Sequence, residues 1–221
     1  MGLAHSPRIV TDGLVVALDA GNTKSYPGSG TTWSDLSGKG NDGTLINSPT
    51  YNNTNGGNFN FDATNDYVNC GQVLNNNAYT KIAWFRPEAQ SANNLVSGSA
   101  GNTAFWMSNT THTIHSGHNG SWYVVSHRPN PDPGNMLNQW WCGAVTFNTS
   151  TGWVLYLNGE QVDTDTSTTA PTGDGTIFIG AHGVAANLFD GDIPCVQIYN
   201  RALTASEIQQ NFNALRGRFG I

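Results

Sequence analysis

The sequence predicts an all-β protein, a two-sheet antiparallel jelly-roll sandwich with one short C-terminal helix. Short β-rich runs recur along the chain, each stopped by Gly, Asn, Asp or Pro, which is the punctuation of a sandwich. Ten or more such runs fall within 221 residues, and that many short strands call for two packed sheets rather than one. Near the C-terminus a capping signal precedes apolar residues at helical spacing.

The elements follow in order. "LVVALDA" (14–20) reads as the first strand, and Thr44 to Ile46 as the next after the turns of "SGKGNDG". "FNFDATNDYVNCG" gives a short strand, an Asx-rich turn and a second strand from Tyr67 to Cys70. "YTKIAWFRPE" alternates and stops at Pro87, while "NLVSGSA" and "TAFWMSN" read as a hairpin. Ser121 to Arg128 is a strong β run. "NQWWCGAVTFNTSTGWVLYLNGEQVD" is a long hairpin whose last turn is Asn158-Gly159, the strongest short-range hairpin signal. "GTIFIGAH" and "DIPCVQIYN" supply two further strands. Thr204 and Glu207 then form a capping box, Ile208, Phe212 and Leu215 make one helical stripe, and Gly217 is the expected stop, so the helix covers about 204–216. Such a helix is expected at the edge or end of the sandwich. Residues 1–12 read as an N-terminal arm and residues 13–221 as a single domain.

Composition removes several function classes. Charged residues make up 11% of the chain, against roughly 25% in an average domain. Lys and Arg number 9 and the net charge is −6, which argues against neutralising a phosphate backbone and hence against nucleic acid. No apolar run reaches the roughly 18 residues of a membrane span, so no membrane insertion is expected. The first residues lack a secretory signal's apolar run. Cys70, Cys142 and Cys195 are three in number with no CxxC spacing, and read as small buried thiols. No phosphate-binding loop or dinucleotide fingerprint is present.

Three blocks carry a family resemblance: "GLVVALDA…YPGSGTTWSDLSGKGNDGTL…FNFDATNDYV", then "W…AVTFN…WVLYLNGEQV", then "FDGDI…VQIYNRALTASEIQQNFNALRGRFGI". In this order they resemble laminin-G-like domains of the concanavalin A-like lectin/glucanase group, over most of the chain from Gly13 onward. With "SPRIVTDGLV" in front and "NALRGRFGI" behind, the chain looks like structural proteins of tailed, particularly marine, phages. One departure is Pro194, where many members carry an acid. A proline there is expected at an edge or a strand start.

Glycoside hydrolysis needs two facing carboxylates. The three glutamates, Glu88, Glu160 and Glu207, fall at a strand end, a hairpin turn and a helix cap, so no enzyme is expected. Several members of the resembled group bind calcium, which takes hard oxygen ligands. Two readings stay open for the loop acids and amides: one Ca²⁺ held by Asp19, Asp35, Asn41 and Asp192, or Asx turns that satisfy loop amides. His112, His115 and His118 lie in "HTIHSGH", read as a polar loop or sheet face, while His127 and His182 read as structural.

A glycan site needs an aromatic platform flanked by hydrogen-bonding groups. In Trp140-Trp141 and in Trp122-Tyr123 one ring must point outward if the other points in. The candidate glycan residues are Trp122, Trp140, Trp141, Asn119 and His118. The open alternative is that each outward ring covers a loop or a second subunit. The expected function is a non-enzymatic virion surface protein of a tailed phage: a capsid decoration protein, head fibre or tail-associated adhesin. Its arm would contact the major capsid protein or another virion protein, homo-oligomers are compatible with it, and synthesis would be in the host cytoplasm. A carbohydrate-binding module of a secreted or cell-surface protein is the alternative.

Overall fold

The structure is a computed structural model that describes residues 7–89, 93–99, 103–108, 113–129, 136–184 and 186–221. The first strands are β1 (Leu14–Asp19), β2 (Thr32–Trp33), β3 (Gly43–Ile46), β4 (Thr50–Asn52), β5 (Asn58–Asp62) and β6 (Tyr67–Gln72). They are followed by β7 (Ala78–Pro87), β8 (Asn93–Asn94), β9 (Val96–Gly98), β10 (Thr103–Met107), β11 (Ile114–His118) and β12 (Ser121–His127). Last come β13 (Trp141–Asn148), β14 (Gly152–Leu157), β15 (Glu160–Asp165), β16 (Thr176–Ile179), β17 (Asp190–Tyr199) and the helix α1 (Ala205–Phe219).

The strands build two layers of an antiparallel jelly-roll sandwich. One is an eight-stranded sheet in the order β15-β14-β13-β7-β17-β5-β4, with β1 also paired to β17. The other combines β2-β3-β6-β16-β9 with β12-β11-β10-β8. The Leu95 N–H donates to the Phe105 carbonyl at 2.9 Å and joins these two halves side by side. The expected hairpin between "NLVSGSA" and "TAFWMSN" is therefore split: β8 pairs with β10, whereas β9 turns to β16.

Alternation decides what lies between the layers. Ala83 and Phe85 of β7 and Val145 and Phe147 of β13 face inward onto Phe59, Phe105 and Ile193. The intervening residues Ile82, Trp84, Cys142 and Ala144 face the opposite side. That side is also dry, because α1 lies on it: Trp84 stacks on Phe212 at 5.6 Å and on Phe219 at 4.4 Å. The helix thus covers the outer face of the eight-stranded sheet rather than an edge of the sandwich, which is why β7 is apolar on both sides. Its capping box is formed, with Thr204 N–H on Glu207 Oε2 at 2.8 Å and Glu207 N–H on Thr204 Oγ1 at 3.4 Å. The helix runs through Gly217 and ends instead at Gly220, whose φ is +73°, because Phe219 has a ring to stack on and extends the apolar stripe.

The described part of the N-terminal arm docks on this same face. Val10 N–H donates to Asn211 Oδ1 at 2.7 Å, and Tyr199 OH donates to the Val10 carbonyl at 2.9 Å. Pro194 is neither at an edge nor at a strand start. It lies inside β17, buried, where the register against β7 slips between Asp192 and Cys195. That bulge removes the need for its missing N–H. All three cysteines are free and buried, and burial pushes the Cys70 thiol up to about 12. Lys81 is the exception inside the core: fully buried, its Nζ donates to the Val96 carbonyl at 3.0 Å and to Thr103 Oγ1, and burial holds its pKa well below the usual lysine range.

Candidate functional site

The sheet β12-β11-β10-β8 has two faces. Phe105 and Met107 of β10 and Ile114 of β11 point into the core, so Ala104, Trp106 and His115 point away from it. The β11–β12 turn is Asn119-Gly120, with φ of +54° and +85°, the left-handed pair of a two-residue hairpin. Beyond it the register is irregular: His118 faces Ser121 and Ser116 faces Val125, leaving Gly117 opposite Trp122, Tyr123 and Val124. Val124 and Val125 both rest on the core, which breaks the alternation and turns Tyr123 outward, 64% exposed. Gly117 permits this, since a Cβ there would run into the Ser121 carbonyl.

The bulge assembles a cleft of about 230 Å³. Its walls are the rings of Trp106, Trp122 and Tyr123, with His182, Asn94 and Asn187 across from them and Ala104 among the lining residues. Trp106 lies against His115 at 4.7 Å, and Tyr123 meets both edge-on, at 5.2 and 4.9 Å. Trp122 meets His182 edge-on at 5.1 Å. Trp106 Nε1 donates to the Trp122 carbonyl at 3.1 Å, fixing one ring to the neighbouring strand. On the polar side Asn94 Nδ2 donates to the Asn187 carbonyl at 3.1 Å, and Ser97 Oγ donates to Asn94 Oδ1 at 2.7 Å. Nδ1 of His115 and Nε2 of His182 are buried without a partner. Burial lowers the pKa of both rings, that of His115 to about 4.

Of the glycan candidates, Trp122 lies in the cleft and the other four lie elsewhere. His118 points the other way from His115, into the core, against Phe147 at 5.1 Å and Trp153 at 4.7 Å. Asn119 is a turn residue whose amide pins the 170–172 loop, accepting from Thr172 N at 2.9 Å and donating to the Ala170 carbonyl at 2.9 Å. Trp141 packs on the core and donates to the Met136 carbonyl at 3.1 Å. Trp140, its outward neighbour, lies beneath Phe219 and Arg86 on the helix side. His112 lies outside the described residues. Trp106, Tyr123, Asn94, Asn187 and His182 were not singled out as site residues in the sequence.

The four calcium candidates are each engaged within the protein. Asp19 pairs with Arg218 at 2.6 Å. Asp192, buried, pairs with Arg86 at 2.6 Å and accepts from Asn60 Nδ2 at 3.1 Å. Asp35 accepts the N–H groups of Ala17, Ser37 and Asn41, plus the Ser37 hydroxyl. These donors together hold its pKa below the usual carboxylate value despite its partial burial. Asn41 Nδ2 donates to the Val15 carbonyl at 2.8 Å. Among the described residues no group of three His, Cys, Asp or Glu could hold a metal ion.

The antiparallel sandwich agrees with the family comparison. A family model described as the concanavalin A-like lectin/glucanases superfamily matches residues 61–209. The chain belongs to this superfamily. No curated protein matches it in sequence. Among solved structures, the lectin-like domain resembles domain 4 of the arabinanase AbnA from Geobacillus stearothermophilus, in complex with arabinotriose. There the TM-score is 0.68 at 17% identity, over 90% of this chain and 97% of that one. It also resembles the binding domain of Paraclostridial Mosquitocidal Protein 1, with TM-score 0.69 and 17% identity over 92% of this chain and 52% of that one. The binding domain of botulinum neurotoxin DC in complex with SialylT gives 0.68 and 14% over 93% and 52%. The chain thus spans about half the length of the toxin domains it matches.

Proposed function

We propose that the protein is a non-enzymatic glycan-binding protein displayed on the surface of a tailed-phage particle. It would serve there as a capsid decoration protein, head fibre or tail-associated adhesin. The observation that carries the glycan reading is the cleft itself. The exposed Tyr123 ring, with half-buried Trp106 and Trp122 beside it, offers apolar surface for sugar C–H groups, the exposed Asn187 offers an amide for hydroxyls, and no carboxylate is among the described lining residues. The arabinanase domain holding arabinotriose is a relative of the same fold and supports oligosaccharide as the ligand class. The display reading is supported by placement. Segment 7–12 docks beside α1 on the outer face of one layer, while the cleft opens on the outer face of the other. Attachment through that segment would leave the cleft free.

Two measurements test this. On a glycan array the protein is expected to bind, and Tyr123→Ala to lose about tenfold or more in affinity without loss of melting temperature. No binding at high protein concentration would remove the glycan role. Mixed with capsids lacking it, the protein should reach saturating, symmetric occupancy by cryo-electron microscopy. The near-complete match to a domain of an arabinanase favours a second reading, a carbohydrate-binding module of a secreted or cell-surface protein. Glycan binding with no saturable binding to particles would select it.

A further inference from the structure

The cleft is lined by three aromatic rings, two amides and an imidazole, and none of the nine Lys and Arg residues is among its walls. Four of the described cations are committed elsewhere. Arg86 is tied to Glu88 and Asp192, Arg201 to Asp12 and Glu207, and Arg218 to Asp19. Lys81 is sealed in the core on the Val96 carbonyl and Thr103. The imidazoles do not substitute for a cation at neutral pH, since burial lowers the pKa of His182 and of the underlying His115. The chain as a whole carries −6. A carboxylate brought into this cleft would leave water, find no countercharge and meet a repulsive overall field.

A neutral sugar meets the opposite conditions. Its C–H faces pack on Tyr123 and Trp106. Its hydroxyls reach the exposed Asn187, whose backbone carbonyl is already occupied by Asn94. The volume, about 230 Å³, lies just under the roughly 300–1,000 Å³ of drug-sized sites and suits the end of a glycan rather than a long stretch of chain. We infer that the cleft recognises the neutral end of a glycan and discriminates against sialic and uronic acids. This rests on the glycan reading of the same cleft.

The test is an array of matched pairs, each a neutral oligosaccharide beside its sialylated or uronate-bearing counterpart, read at pH 7 with the full chain and with Tyr123→Ala. Neutral members should bind, their acidic counterparts at least about tenfold more weakly, and Tyr123→Ala should lower neutral binding by about tenfold. Acidic members binding as well as or better than their neutral partners would overturn the selectivity while leaving glycan binding standing. Binding to neither kind, or neutral binding that Tyr123→Ala does not change, would overturn both, since the cleft would then not be the glycan site.

Discussion

Asp66 lies almost wholly buried next to Asp62, and burial, reinforced by that charge, raises its pKa from 3.8 to about 6. Between those values the folded state holds the proton more tightly than the unfolded chain, so this residue's contribution to stability falls as pH rises from about 4 to 6. Glu207 has the opposite sign. Hydrogen bonds from Arg201 lead a set, completed by Thr204, that lowers its pKa from 4.5 to about 2. Its stabilisation is present above its unfolded value and fades as pH falls toward about 2, reduced by solvent screening at this part-exposed site. In denaturant unfolding across pH, Asp66→Asn should exceed the wild type above about pH 6 and match it below about pH 4. Glu207→Gln should fall below it at neutral pH and converge with it in acid. A difference that stays constant with pH would contradict both assignments. Single residues were also where sequence reading reached least far. Trp122 was legible as a ring on a strong β run, but Trp140 and Trp141 satisfied the same in-out logic and are occupied by Phe219 and Met136. Adjacent rings do not reveal which outward one a helix will cover.

At the level of elements, β11 was the strand the sequence obscured, because its residues Ile114–His118 include Ser, Gly and two histidines. Two local signals were there: Asn119-Gly120, the same turn dipeptide as Asn158-Gly159, and a glycine inside a β run, which marks a bulge. Together they place Trp122 and Tyr123 beside Trp106, while alternation along β11 sends His115 to the cleft side and His118 to the core. The bulge therefore carries both local stability and the cleft. Gly117→Ala would overlap the Ser121 carbonyl, so β12 must shift. The expected cost is on the order of 1–3 kcal/mol, with loss of glycan binding even where the protein remains folded. Near-UV circular dichroism of the Trp106–Tyr123 cluster and unfolding by urea would read the two effects separately. Full glycan affinity in Gly117→Ala would show that the bulge does not set the ring positions.

Across the whole molecule, period and turn chemistry specified the sandwich well: the hairpin ending at Asn158-Gly159, the stop of β7 at Pro87 and the Thr204 cap all stand in the structure. What they did not specify was the third layer. A helix stripe of Ile208, Phe212 and Leu215 states that one face is buried, not against what. The partner is the second apolar face of β7, β13 and β17, which reads as one continuous run with the first. This architecture separates two jobs, with α1 sealing the back of the eight-stranded sheet and the cleft opening on the outer face of the opposite layer. Phe219→Ala removes a ring stacked on Trp84 and tilted against Trp140 and should cost about 3 kcal/mol of stability while leaving glycan affinity unchanged. Tyr123→Ala, at a ring 64% exposed, should do the reverse. Because the two rings lie on opposite outer faces and share no partner, the double variant should show the sum of the single stability losses within about 0.5 kcal/mol. Its glycan affinity should equal that of Tyr123→Ala alone. A larger departure in either quantity would mean that the back face and the cleft are energetically coupled through the core, with Lys81, which ties β7 to Val96 and Thr103 beneath the cleft, as the first connection to substitute.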